Sequence, residues 1–97
     1  MFIGSLALDL VLGDVHSLKE KRSVVRPIVS ALAKLGVSAA EAGHLDLHRR
    51  ALVGVAVVAA DAQHCREVLA SCERLVVDRP EVEVLSVHTQ LYKEGDE

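Results

Sequence analysis

The sequence predicts an α+β sandwich in which two helices cover one face of a four-stranded antiparallel sheet. Three observations carry this expectation. The chain has 97 residues, the length of one domain. It is 51% hydrophobic and only 2% aromatic, so its core is built from Val, Leu and Ala. Its apolar residues also switch between a period of two and a helical period, in the order β-α-β-β-α-β.

Each element has its own reason. Residues 2–12 read as a strand, with Leu6, Leu8, Leu10 and Leu12 on one face and Ile3, Ser5, Ala7, Asp9 and Val11 on the other. After a turn at 13–16, Ser17 and Glu20 fit a capping box. Val24, Ile28, Ala31 and Leu35 then keep a helical period, with Leu32 on the flank, and Gly36 marks the stop. Pro27 lacks an N–H and crowds the Ser23 carbonyl, so a kink or loosened turn is expected there. Residues 37–42 read as a weaker strand and 43–49 as a loop. Residues 51–60 are an almost unbroken Val/Ala run, suited to a central strand. Asp61 caps a second helix whose stripe is Cys65, Val68, Leu69, Cys72, Leu75 and Val76, and Arg79-Pro80 ends it. Residues 82–91 form the last strand, with Leu85, Val87, Thr89 and Leu91 sharing a face, and 93–97 read as a frayed tail. With right-handed crossovers, this order closes as a split βαβ, ferredoxin-like sandwich over residues 1–97, with the first and third strands central.

Composition excludes several function classes. Two aromatic residues cannot build a base-stacking platform, and a net charge of −3 does not describe a generally basic nucleic-acid coat. No run reaches the roughly 18 apolar residues of a membrane span, and the start has no basic signal region, so a cytoplasmic location is expected. Cys65 and Cys72 lie seven residues apart on one helical stripe, about 10.5 Å between Cα atoms, beyond disulfide reach. They read as buried free thiols. There is no Gly-rich phosphate loop, nucleophile elbow or paired-Cys motif, and Asp9 is the sole carboxylate of the first strand. The expectation is a protein without catalysis or a resident cofactor.

The third strand is apolar on both sides: Val53, Val55 and Val57 point one way, Leu52, Ala56 and Val58 the other. Helices can cover one side only. The open face is therefore expected to pair two copies in a homodimer.

Charge converges where the first strand exits, the first helix starts and the second and third strands join. The helix brings Lys19, Lys21, Arg22 and Arg26, and the hairpin brings Arg49 and Arg50. With the helix-start amides, these cations form a candidate anion-binding surface for RNA phosphates or an acidic protein. The plain alternative is a solvated helix face. Lys21 lies near the centre of the apolar stripe, so an ion pair with Glu41 or Asp46 is expected to hold it. His44, Asp46 and His48 would project to one side of an extended segment, a weak metal-ligand pattern that Arg49 and Arg50 oppose.

The runs Met1-Phe2-Ile3-Gly4, Ser17-Leu18-Lys19-Glu20-Lys21-Arg22-Ser23-Val24-Val25, residues 37–43 and 52–58, and the closing Glu83-Val84-Leu85 resemble the YlxP-like family of small bacterial proteins. The resemblance covers nearly the whole chain, and Ser-Leu-Lys-Glu-Lys-Arg is its most specific part. It implies the same ferredoxin-like fold. Genes of such proteins often neighbour those of transcription elongation and translation initiation, which implies a role in ribosome or RNA metabolism. His44, His48 and Pro27 depart from the family pattern. The leading expectation is a non-enzymatic, dimeric binding module with ribosomal RNA or a ribosomal protein as partner. The alternatives are a dimeric small-molecule-binding regulatory domain, with room beside Ser5 and Ala7, and a structural protein that docks its open sheet face on a larger partner.

Overall fold

The computed structural model describes residues 1–95. Its elements are β1 (Phe2–Leu12), α1 (Leu18–Ala33), β2 (Ser38–Gly43), β3 (Arg50–Ala59), α2 (Ala62–Val77) and β4 (Val82–Lys93). The sheet order is β2-β3-β1-β4 and every pairing is antiparallel. This is the ferredoxin-like α+β arrangement, with β1 and β3 central as the element order requires.

The leucines of β1 decide which face is inside. Leu6, Leu8, Leu10 and Leu12 are buried, and so are Ala51, Val53, Val55, Val57 and Ala59 of β3. Directly opposed residues of antiparallel strands share a face, so Leu8↔Val53 and Leu6↔Val55 line the same side. The helices close that side with Val25, Ile28 and Leu32 of α1 and Cys65, Leu69, Cys72 and Val76 of α2. At Gly4 α2 packs tightly on β1. A Cβ there would lie 2.6 Å from Cys65 Sγ and 2.8 Å from Leu69 Cδ1.

Both helices start on their expected caps. Ser17 Oγ accepts the Glu20 N–H at 3.1 Å, and Asp61 Oδ1 accepts the His64 N–H at 2.7 Å. Glu20 reaches back as in a capping box, but its carboxylate takes the His16 N–H, one residue earlier than the pattern predicts. Pro27 does not end α1: the helix runs on to Ala33. Both Pro27 and Ser23 are exposed, so the carbonyl that loses its donor lies where water reaches it. Gly36 follows the helix with φ +84°, a conformation that glycine adopts without strain.

Three expectations are corrected. The buried stripe of α1 is Lys21, Val25, Ile28 and Leu32, with Val24 and Ala31 at its flank and Leu35 exposed beyond the helix end. Leu85 does not share a face with Val87. The β1–β4 register shifts between Asp9 and Leu10, which pair with Ser86 and Val84, so Leu85 is left over and exposed. The chain beyond Leu91 does not begin to fray at Lys93. β4 includes Lys93, and the Glu94 N–H donates to Met1 O at 2.7 Å while the Met1 amino group donates to Glu94 O at 3.1 Å. The last part of that expected tail, residues 96–97, lies outside the described residues. Among the described residues no helix is long and apolar enough to cross a membrane.

Candidate functional site

The exit of β1, the start of α1 and the β2–β3 connection do meet at one end. The Leu12 N–H donates to Arg49 O at 2.9 Å, and Arg49 Nε donates to Leu12 O at 3.4 Å. Lys21 crosses from helix to connection. It is 2% exposed, its Nζ donates to His44 O at 2.8 Å and lies 2.6 Å from Glu41 Oε2. The Glu41 contact is a charge pairing not aligned as a hydrogen bond. Of the two expected carboxylates, Glu41 is thus the partner and Asp46 is not. The reason is register: Glu41 opposes Val53 and so projects to the helix side of edge strand β2.

Arg50 is drawn into a second charge cluster, on the face of the sheet away from the helices. Its Nη2 donates to both oxygens of Asp9, at 2.7 and 2.8 Å, and His44 Nε2 sits 3.3 Å from Asp9 Oδ1. The Arg50 hydrogen bond holds the Asp9 carboxyl below its ordinary pKa, against the upward push of desolvation, and the charges of Arg50 and His44 add to the lowering. Arg50 Nε is enclosed without an acceptor. Sequence reading missed this cluster. A signal was present: a carboxylate in an apolar strand needs a cation, and Arg50 opens the strand that lies beside β1.

His44 also ends the metal-ligand expectation. It adopts φ +56°, and its carbonyl accepts the Leu47 N–H at 3.0 Å, so the expected loop bends into a turn and lacks the extended run that the ligand pattern requires. Its ring goes to Asp9, whereas Asp46 and His48 line a hollow with Val15, His16, Arg49 and Arg50. No group of three potential ligands gathers among the described residues.

The predicted cations therefore divide by environment. Lys21 and Arg50 are spoken for by Glu41 and Asp9. Lys19, Arg22 and Arg26 are exposed on α1 at spacings of three and four, which places them along one side of the helix. Ion-pair or hydrogen-bond partners for these three side chains are absent among the described residues. Arg22 and Arg26 line two grooves. One is shared with Lys19, Ser23 and Pro27; the other runs toward Glu41 over Val25, Val29 and Ala33. Acidic residues gather elsewhere: Asp14, Glu73, Glu81 and Glu83 surround a hollow between the turn after β1 and the α2–β4 connection. The net charge of −3 thus conceals a polarised surface.

The family model for a protein of unknown function (DUF503) matches residues 3–89, from β1 into β4 and across every residue of the site just described. This chain belongs to the DUF503 family. The uncharacterized protein YlxP of Bacillus subtilis (strain 168) is 29% identical over 91 residues, which cover 93% of this chain and 99% of YlxP. The expected YlxP-like kinship thus holds across the fold. The DUF503 match takes in both the Lys21–Glu41 link and the exposed α1 stripe.

Proposed function

We propose that this DUF503 protein is a non-enzymatic binding module that holds RNA phosphates on the outer face of α1, with ribosomal RNA as its target. The observation that carries the reading is the set of unengaged cations Lys19, Arg22 and Arg26. Cations already paired with a carboxylate gain little from a phosphate. Free ones release the counterions condensed on RNA, and this supplies the bulk of non-specific affinity. From Lys19 to Arg26 the stripe runs about 10 Å along the helix at 1.5 Å per residue. Arg49 extends the surface at the hairpin corner, where it is exposed. Lys21 supports the site from beneath by tying α1 to the hairpin, and Arg50 steadies β1 against β3. With little aromatic surface, recognition would rest on backbone phosphates and RNA shape.

The test is co-sedimentation with ribosomal subunits at low and moderate salt. Binding should weaken as salt rises, and Arg22→Ala with Arg26→Ala should lower the log–log salt slope by about one for each lost phosphate contact. Arg50→Ala should leave that slope unchanged. Absence of binding at either salt, or binding indifferent to the α1 pair, overturns the reading.

A further inference from the structure

The face of the sheet away from the helices can be read row by row from the strand registers. Val58, Ile3 and Tyr92 form a bulky row at one end. Next come Ser38, Ala56, Ser5 and Gln90, then Ala40, Gly54, Ala7 and His88. Beyond these lie Leu52, Asp9 and Ser86, and finally Arg50, Val11 and Glu83. The middle two rows are small or short on β1, β2 and β3; one end is apolar, and the other mixes Leu52 and Val11 with the paired Asp9 and Arg50 and with Glu83. Val58 is 63% exposed and Tyr92 49%.

We infer that this face is the interface between two copies of the chain. Three features favour a second copy. The first is area. Four strands at about 4.8 Å spacing, which average about ten residues because the short β2 is offset by the long β1 and β4, present roughly 650 Å² in projection. Two such faces bury about 1,300 Å², within the range of stable interfaces. The second is charge. The middle rows carry no carboxylate, lysine or arginine, and at the charged end Asp9 and Arg50 neutralise each other within one copy, so like faces can meet across the middle of the sheet. The third is relief. Rows of Ala, Gly and Ser let two backbones approach closely, while Val58, Ile3 and Tyr92 at one end and Leu52 and Val11 toward the other supply apolar contact beside them. A two-fold pair of identical faces closes on itself and leaves no open face for further growth. It also turns the helix layers outward, so the α1 stripes of the two copies lie on opposite outer surfaces. The inference does not depend on what those stripes bind.

The experiment is sedimentation velocity of the purified protein at micromolar concentration, with far-UV circular dichroism as a folding control. The wild type should run at twice the chain mass of 10.4 kDa. Ala56→Arg and Val58→Asp replace exposed residues of the face, so each should give a folded monomer. Ala70→Arg, exposed on α2, should remain dimeric. Val58→Asp decides the matter if Ala56→Arg fails to fold. A wild-type monomer, or a dimer untouched by the folded face variants, overturns the inference.

Discussion

Cutting the Lys21–Glu41 pair from either side should have unequal cost. The Lys21 side chain is 3% exposed and that of Glu41 22%. Glu41→Ala leaves an ammonium in a nearly dry site with only the His44 carbonyl for company, and breaking a buried pair in this way costs about 3–5 kcal/mol. Lys21→Met leaves a carboxylate that can still turn to water. Its main loss is the donor to His44 O, about 1–3 kcal/mol, while the Met stem keeps most of the packing. Glu41→Ala is thus expected to be the more destabilising change. For a chain of this size, about 3 kcal/mol corresponds to a fall in Tm of roughly 12–24 °C. Urea unfolding followed by circular dichroism measures both variants, and an unchanged m-value confirms that stability alone has moved. The double variant Lys21→Met/Glu41→Leu removes both charges at similar volume and should recover most of the loss, because an apolar replacement of a buried pair is often neutral. If Glu41→Ala lies within about 1 kcal/mol of the parent, or Lys21→Met is the worse of the two, the burial argument is wrong.

Two further outcomes follow from the packing and charge described. Because Asp9 is held below its ordinary pKa, its contribution to stability is complete above the unfolded carboxylate range near pH 4 and fades as pH falls through the folded value. Asp9→Asn should therefore be less stable than wild type at pH 7, with the gap closing on acidification; thermal melts from pH 7 to pH 2.5 would show a constant gap if Arg50 contributes nothing. Gly4→Ala places a methyl against Cys65 Sγ and Leu69 Cδ1, and overpacking of this kind costs about 1–3 kcal/mol by urea titration. A neutral result would mean that α2 moves aside freely.

Much of this architecture could be read from local pattern. The Ser17 and Asp61 caps, the leucine face of β1 and the Val/Ala run of β3 each follow from rules acting within a few residues. Lys21 was legible in part, since a lysine on an apolar stripe snorkels to water or meets a carboxylate, and the sequence left Glu41 and Asp46 both open as partners. What escaped depends on register between distant strands. Leu85 sits on the expected alternation, but an extra residue in β4 turns it outward, and nothing within 82–91 reveals that shift. Arg50 reaches Asp9 across 41 positions, on a diagonal set by how β1 lies against β3. The outward slip of Leu35 has a local cause in the end of α1 at Lys34. His44 looked like a member of an alternating ligand set, yet its left-handed backbone ends the alternation.

The two thiols have a use outside the protein's own work. Cys65 and Cys72 are wholly enclosed beneath α2, and burial pushes the Cys72 thiol up. A disulfide reagent reacts only with an accessible thiolate, so each labelling event must wait for the helix to lift from the sheet. The chain has two cysteines, one in the first turn of α2 and one past its middle. Their labelling rates, divided by those of the unfolded chain, therefore form a clock with two hands. Cys65 running ahead of Cys72 would describe a helix that peels from its start, and equal rates one that leaves as a unit.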